Sequence, residues 1–67
     1  MTLFKCTALY ALSYKKWIPE GFLYELIGNA VITLKISFID KQFDTEKEAT
    51  DFFTIYCLDK GYVRAKE

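Results

Sequence analysis

The sequence predicts an α+β fold: an antiparallel three- to four-stranded sheet with one C-terminal helix packed on one face, in the order βββα. Three observations predict it. The opening and middle segments alternate apolar and polar residues at strand spacing, Gly28-Asn29 stands between two strand-forming runs, and Thr45-Glu46-Lys47-Glu48 precedes an apolar stripe at helical spacing. The chain of 67 residues has room for one domain, residues 1–67, and one modest core.

The first strand is expected in "LFKCTALYAL". Alternation puts Phe4, Cys6, Ala8, Tyr10 and Leu12 on a core face and Leu3, Lys5, Thr7, Leu9 and Ala11 on the other. "SYKKWIPEGF" then reads as a connection between strands. In "FLYELIGNAVITLKISF", a two-residue turn at Gly28-Asn29 sets Ile27 opposite Ala30, Glu25 opposite Ile32 and Leu23 opposite Leu34. One side of this hairpin carries Leu23, Ile27, Ala30, Ile32, Leu34, Ile36 and Phe38, interrupted by Glu25, and is expected to be the core. The other carries Phe22, Tyr24, Leu26, Val31, Thr33, Lys35 and Ser37. A further tight turn at Asp40-Lys41 is expected to return Phe43 towards Phe38.

The helix start fits a capping box, with Thr45 at the N-cap and Glu48 reaching back to its amide. Ala49, Phe52, Phe53, Tyr56 and Cys57 form the buried stripe, and Gly61 ends the helix near residue 59 or 60 as a left-handed C′ residue. In the tail, Tyr62 and Val63 are expected to return to the core or to add a brief edge pairing. A single helix covers a single sheet face, so the face with Phe22, Tyr24, Leu26, Val31 and Lys35 has nothing assigned to cover it.

Composition makes that bare face a candidate for binding. The chain is 52% hydrophobic and 18% aromatic, above the average of roughly 45 to 50% that soluble chains reach with Gly counted, and the surplus implies a partner or self-association. Nine basic residues balance nine acidic ones and there is no His, which argues against whole-molecule attraction to nucleic acid or acidic lipid. The balance is mildly polarised: five lysines oppose three carboxylates through Phe43, giving +2, and the remaining residues carry −2. No signal-peptide pattern and no run of 18 apolar residues appears. Cys6 and Cys57 lack CxxC spacing. A cytoplasmic location, reduced thiols, no metal, no cofactor and no membrane partner are therefore expected.

From Tyr24 to Val63, "YEL", "GNAVIT", "FDTEKEA" and "KGYV" follow one another in an order that resembles the WGR domain, a small sheet-plus-helix module of DNA-damage-response polymerases. The resemblance covers about 40 of the 67 residues and implies a sheet-plus-helix fold with contact to DNA. After "VIT" that family carries its Trp-Gly-Arg signature and a glycine-rich loop, whereas this chain reads "LKISFIDKQ". No defining residue of the family therefore transfers, and Trp17, which precedes the hairpin, does not stand in for its Trp.

Each chemical candidate has a structural counterpart. Trp17 with Tyr14, Lys15 and Lys16 has the aromatic and cationic elements that bind single-stranded nucleic acid; the alternative is that Trp17 seals one end of the core while the lysines stay solvated. Glu25 on the apolar side is either an acid of raised pKa or a margin residue that reaches water, a lysine or a Tyr hydroxyl. It has no second carboxylate or His beside it, so no acid/base pair is supported. Cys6 and Cys57 are expected to point inward as buried thiols, without a base to activate them. The five Tyr and six Phe are expected to fill the core instead of lining a ligand pocket.

The expected function is a non-enzymatic interaction module that binds a protein partner or itself through Phe22, Tyr24, Leu26, Val31 and Lys35. Strand addition at an exposed "GFLYEL" strand, or at the first strand, is a variant. The alternative is a nucleic-acid-binding module using Lys15, Lys16, Trp17 and Lys35.

Overall fold

The Gly28-Asn29 hairpin organises the sheet. In the computed structural model, which describes residues 1–66, β4 (Glu20–Ile27) pairs antiparallel with β5 (Ala30–Ser37) in the expected register, Ile27 opposite Ala30 through Glu20 opposite Ser37. Gly28 supplies the positive φ, +57°, that the two-residue turn requires. On its other edge β4 pairs antiparallel with β1 (Thr2–Cys6), which sets Phe4 opposite Leu23 and Cys6 opposite Gly21. Phe4, Cys6, Gly21, Leu23 and Ile36 thus share one face. Helix α1 (Glu46–Asp59) packs there, and Phe4, Leu23, Phe53 and Cys57 form the buried cluster.

The sheet is mixed, a correction to the all-antiparallel expectation. Helix α1 ends at Lys60, and Gly61 (φ +81°) takes the left-handed position. Gly61 N–H donates to Leu58 C=O and Tyr62 N–H to Cys57 C=O, both at 3.0 Å, as in a Schellman cap. The chain so reversed runs as β6 (Val63–Arg64) parallel to β1, giving the order β5-β4-β1-β6, while Tyr62 packs against the core cluster. The helix start also differs in detail. Thr45 is the N-cap and accepts from the Glu48 N–H at 3.2 Å, but Glu48 does not reach back to the Thr45 amide; its carboxylate accepts from the Thr45 hydroxyl at 2.9 Å.

The opening segment is two strands, not one. Thr7 and Ala8 N–H groups both donate to Glu20 C=O, at 2.9 and 3.1 Å, the two-against-one arrangement of a β-bulge, and Ala8 has φ +58°. The extra residue breaks the alternation and turns the chain off the sheet. β2 (Leu9–Ala11) then pairs with β3 (Lys16–Ile18) in a separate two-stranded sheet. Leu12, expected in the core, is consequently 79% exposed, and Tyr10 is exposed as well. The "SYKKWIPEGF" segment is therefore turn, β3 and the start of β4, not a bare loop. Phe43 returns to Trp17, with which it exchanges backbone hydrogen bonds of 2.7 and 2.9 Å, and not to Phe38; the preceding turn is closed by Lys41 N–H to Phe38 C=O at 3.0 Å.

Helix and sheet approach closely at Gly21. A Cβ there would lie 2.3 Å from the Lys5 carbonyl oxygen and 2.6 Å from the Phe53 ring. Gly21→Ala therefore forces backbone and a buried ring apart, and a loss of about 1 to 3 kcal/mol is expected in urea unfolding. Gly28→Ala meets no atom within 4 Å and carries only the left-handed backbone cost of about 1 to 2 kcal/mol. It is expected to leave helix packing, read by near-UV circular dichroism, intact, whereas Gly21→Ala disturbs it.

Candidate interaction surface

The helix covers only part of its sheet face. Leu23 is buried and Ile36 half-buried, but further expected core positions are uncovered: Leu34, opposite Leu23 on the edge strand, is 57% exposed, and Ile32, opposite Glu25, and Ile27, beyond it, are each 55% exposed. The boundary falls where β1 begins, with the Thr2 hydroxyl donating to the Glu25 carboxylate across the β1–β4 pair. Glu25 is thus a margin residue, half-buried, and its partner is a threonine instead of the expected lysine or tyrosine. The outer half of the hairpin extends past the helix, and the chain measures 41 × 22 × 20 Å.

The opposite face is free of the helix, as the sequence predicts. Phe22 and Tyr24 are half-buried and stack at 6.4 Å between ring centroids, while Leu26 and Val31 (60%) are exposed. Lys35 forms an ion pair of 2.8 Å with Glu20, the one buried charged side chain among the described residues. The outer hairpin therefore presents apolar side chains on both faces: Leu26 and Val31 on one, Ile27, Ile32 and Leu34 on the other.

The long edge of the four-stranded sheet is β5, and the other edge is the two-residue β6. "GFLYEL" lies in β4, between β5 and β1, and the first strand lies between β4 and β6, so neither strand expected to accept strand addition is an edge. The Phe38 N–H donates to Pro19 C=O at 2.8 Å, continuing the β4–β5 ladder. In step with it, Ala30, Ile32, Leu34 and Ile36 bond to β4, and the N–H and C=O groups of Val31, Thr33, Lys35 and Ser37 face outward. Alongside β5, Phe38 packs edge-on against Phe52 and Tyr56 at 5.3 and 4.9 Å. Phe52, Ile55, Tyr56 and Asp59 line an apolar groove of about 270 Å³ on that side of the helix.

The nucleic-acid candidates are not brought together as a cationic patch. Lys16 pairs with Asp44, whose hydrogen bond and then charge hold the lysine above its ordinary value of 10.5. Lys35 is committed to Glu20. Lys15 sits exposed in the turn before β3, at φ +54°. Trp17 is half-buried with its ring 5.1 Å from Tyr10, beside the buried Ile18 and Pro19.

On the β1–β6 side of the sheet, Lys5, Cys6, Arg64 and Ala65 line a cleft of about 420 Å³. Arg64 lies over the Phe4 ring at 5.2 Å and donates to Thr54 Oγ1 at 3.1 Å, and that hydroxyl is 3.2 Å from Cys6 Sγ. Both cysteines are free thiols, Cys6 half-buried and Cys57 buried. Burial, then the neighbouring Cys6, pushes Cys57 up to about 11. Among the described residues no group of three His, Cys, Asp or Glu could hold a metal ion, and no helix is long and apolar enough to cross a membrane.

No family model, no curated protein and no solved structure matches this chain. The WGR resemblance accordingly rests on the residues quoted for it.

The folded chain holds the Cys57 proton more tightly than the unfolded chain, so unfolding releases it between the ordinary value, 9.0, and about 11. Stability is unaffected by this group below pH 9 and falls as pH rises from there towards 11. Subtracting the urea-unfolding profile of Cys57→Ala from that of the wild type is expected to isolate this decline; a flat difference over that range would contradict it.

Proposed function

We propose that the chain is a small non-enzymatic interaction module that binds a protein partner, or a second copy of itself, through the β4–β5 hairpin, with Phe22, Tyr24, Leu26, Val31 and Lys35 on its helix-free face. The observation that carries this reading is the exposure of apolar residues on both faces of the outer hairpin, above all Val31, Ile32 and Leu34. Exposed apolar residues grouped on one element in this way mark candidate binding sites. Fold and charge favour protein over nucleic acid as the partner: net charge is zero, and Lys16 and Lys35 already neutralise Asp44 and Glu20.

A non-enzymatic role is part of the proposal. The chain has no His, and the buried Cys57 thiol is held away from its nucleophilic form. A cytoplasmic location is proposed from the two free thiols, which suit a reducing compartment.

The test uses the tagged chain as bait in an extract of its source cells, with and without nuclease, beside a Tyr24→Glu/Val31→Lys variant. A discrete protein that survives nuclease and is lost from the variant, with far-UV circular dichroism unchanged, is the expected result. Capture that collapses with nuclease, or that the variant retains in full, would overturn the assignment.

A further inference from the structure

The two edges of the sheet are treated differently. β6 is two residues long and carries Arg64, the kind of short, charged edge that prevents accidental strand pairing. β5 has none of these protections. It is eight residues long, contains no proline, and pairs with β4 residue for residue without a bulge. Its single charge, Lys35, is engaged by Glu20 on the same sheet. A strand left open in this way is a template for another strand, and here the groups that would do the pairing are known: the outward N–H and C=O of Val31, Thr33, Lys35 and Ser37.

We infer that the partner of this edge is a second copy of the same edge, so that two chains join β5 to β5 antiparallel about a two-fold axis at Leu34. This deepens the interaction-module reading and rests on it. One register uses all four outward residues at once: Val31 opposite Ser37 and Thr33 opposite Lys35, each pair occurring twice by symmetry. A register shifted by one pair either way leaves outward groups unpaired at both ends. The shift towards the C-terminus also sets Lys35 against Lys35, whereas the Leu34-centred register sets each Lys35 against Thr33.

The side chains agree with that register. On the helix side, Leu34 meets Leu34 of the second copy and Ile32 meets Ile36. Leu34 and Ile32 are more than half exposed in the single chain, and Ile36 is half-buried. Phe52 and Tyr56 of the helix groove pack on Phe38, the residue that follows β5, and Ile55 in the same groove is 67% exposed. The product is one continuous eight-stranded sheet with both helices on the same side. A standard-size specific interface takes about 800 Å² from each partner, roughly one-sixth of the 4805 Å² surface of this chain. β5 spans about 26 Å at about 3.3 Å per residue. Zero net charge leaves no long-range repulsion between copies.

The test is solution mass by sedimentation equilibrium from low to high micromolar concentration, on the wild type, Leu34→Lys, Leu34→Glu and an equimolar mixture of the two variants. Residue 34 is solvent-exposed in the single chain, so both variants are expected to fold, as checked by far-UV circular dichroism. The wild type is expected to be a dimer, each variant alone to be a monomer with association weakened at least tenfold, and the mixture to recover dimer because lysine then faces glutamate across the axis. A monomeric wild type would overturn self-pairing while leaving the capture of a different protein to decide the module reading. A dimer that both variants retain would overturn the β5 edge as its interface, and failure of the mixture to recover would overturn the Leu34 register.

Discussion

The placement of the Phe53 ring directly on the backbone of Gly21 is the constraint on which the rest of the structure depends. Because residue 21 has no side chain, the helix drops onto the sheet where β1 and β4 run side by side, and Phe4, Leu23, Phe53 and Cys57 close around that point. The same contact decides what stays bare. A helix of 14 residues, anchored over β1 and the first half of β4, cannot also cover a hairpin whose strands are eight residues each. The apolar residues of the outer hairpin are thus left over by geometry, and the cost of leaving them in water is the physical reason to look for a partner.

Electrostatics narrows the kind of partner. Two of the three lysines that would form a phosphate-binding patch are paired with carboxylates, Lys16 with Asp44 and Lys35 with Glu20. Exposed pairs contribute little to stability, but they cancel the local field that nucleic-acid binding relies on. The surface that remains distinctive is apolar and bordered by unpaired backbone, which favours another polypeptide strand.

Local chemistry was legible in the sequence. Gly28-Asn29 fixed the hairpin and its register, Thr45 the start of the helix, and Gly61 its end, because each acts through its own backbone conformation or a neighbour three or four residues away. The bulge at Thr7-Ala8 was not legible: it depends on two amides sharing the Glu20 carbonyl of a strand not yet assigned. Extrapolating the alternation through it placed Leu12 in the core. Edge identity was equally hidden, since β4 becomes central only when β1 pairs on its far side and β6 beyond that. One signal for the candidate surface is present in the sequence. Glu25 interrupts an otherwise apolar face at the position where cover by the helix stops, so Ile27, Ile32 and their neighbours beyond it belong to the surface.

Residue-resolved amide hydrogen exchange at low and high protein concentration tests the central claim most directly, because it reads the β5 edge one amide at a time. Ile32, Leu34 and Ile36, bonded to β4, are predicted to be protected at both concentrations, while Val31, Thr33, Lys35 and Ser37 exchange rapidly in the dilute chain and become protected in the concentrated one. Rapid exchange of those four amides at both concentrations would contradict the claim that this edge is the surface a second chain completes.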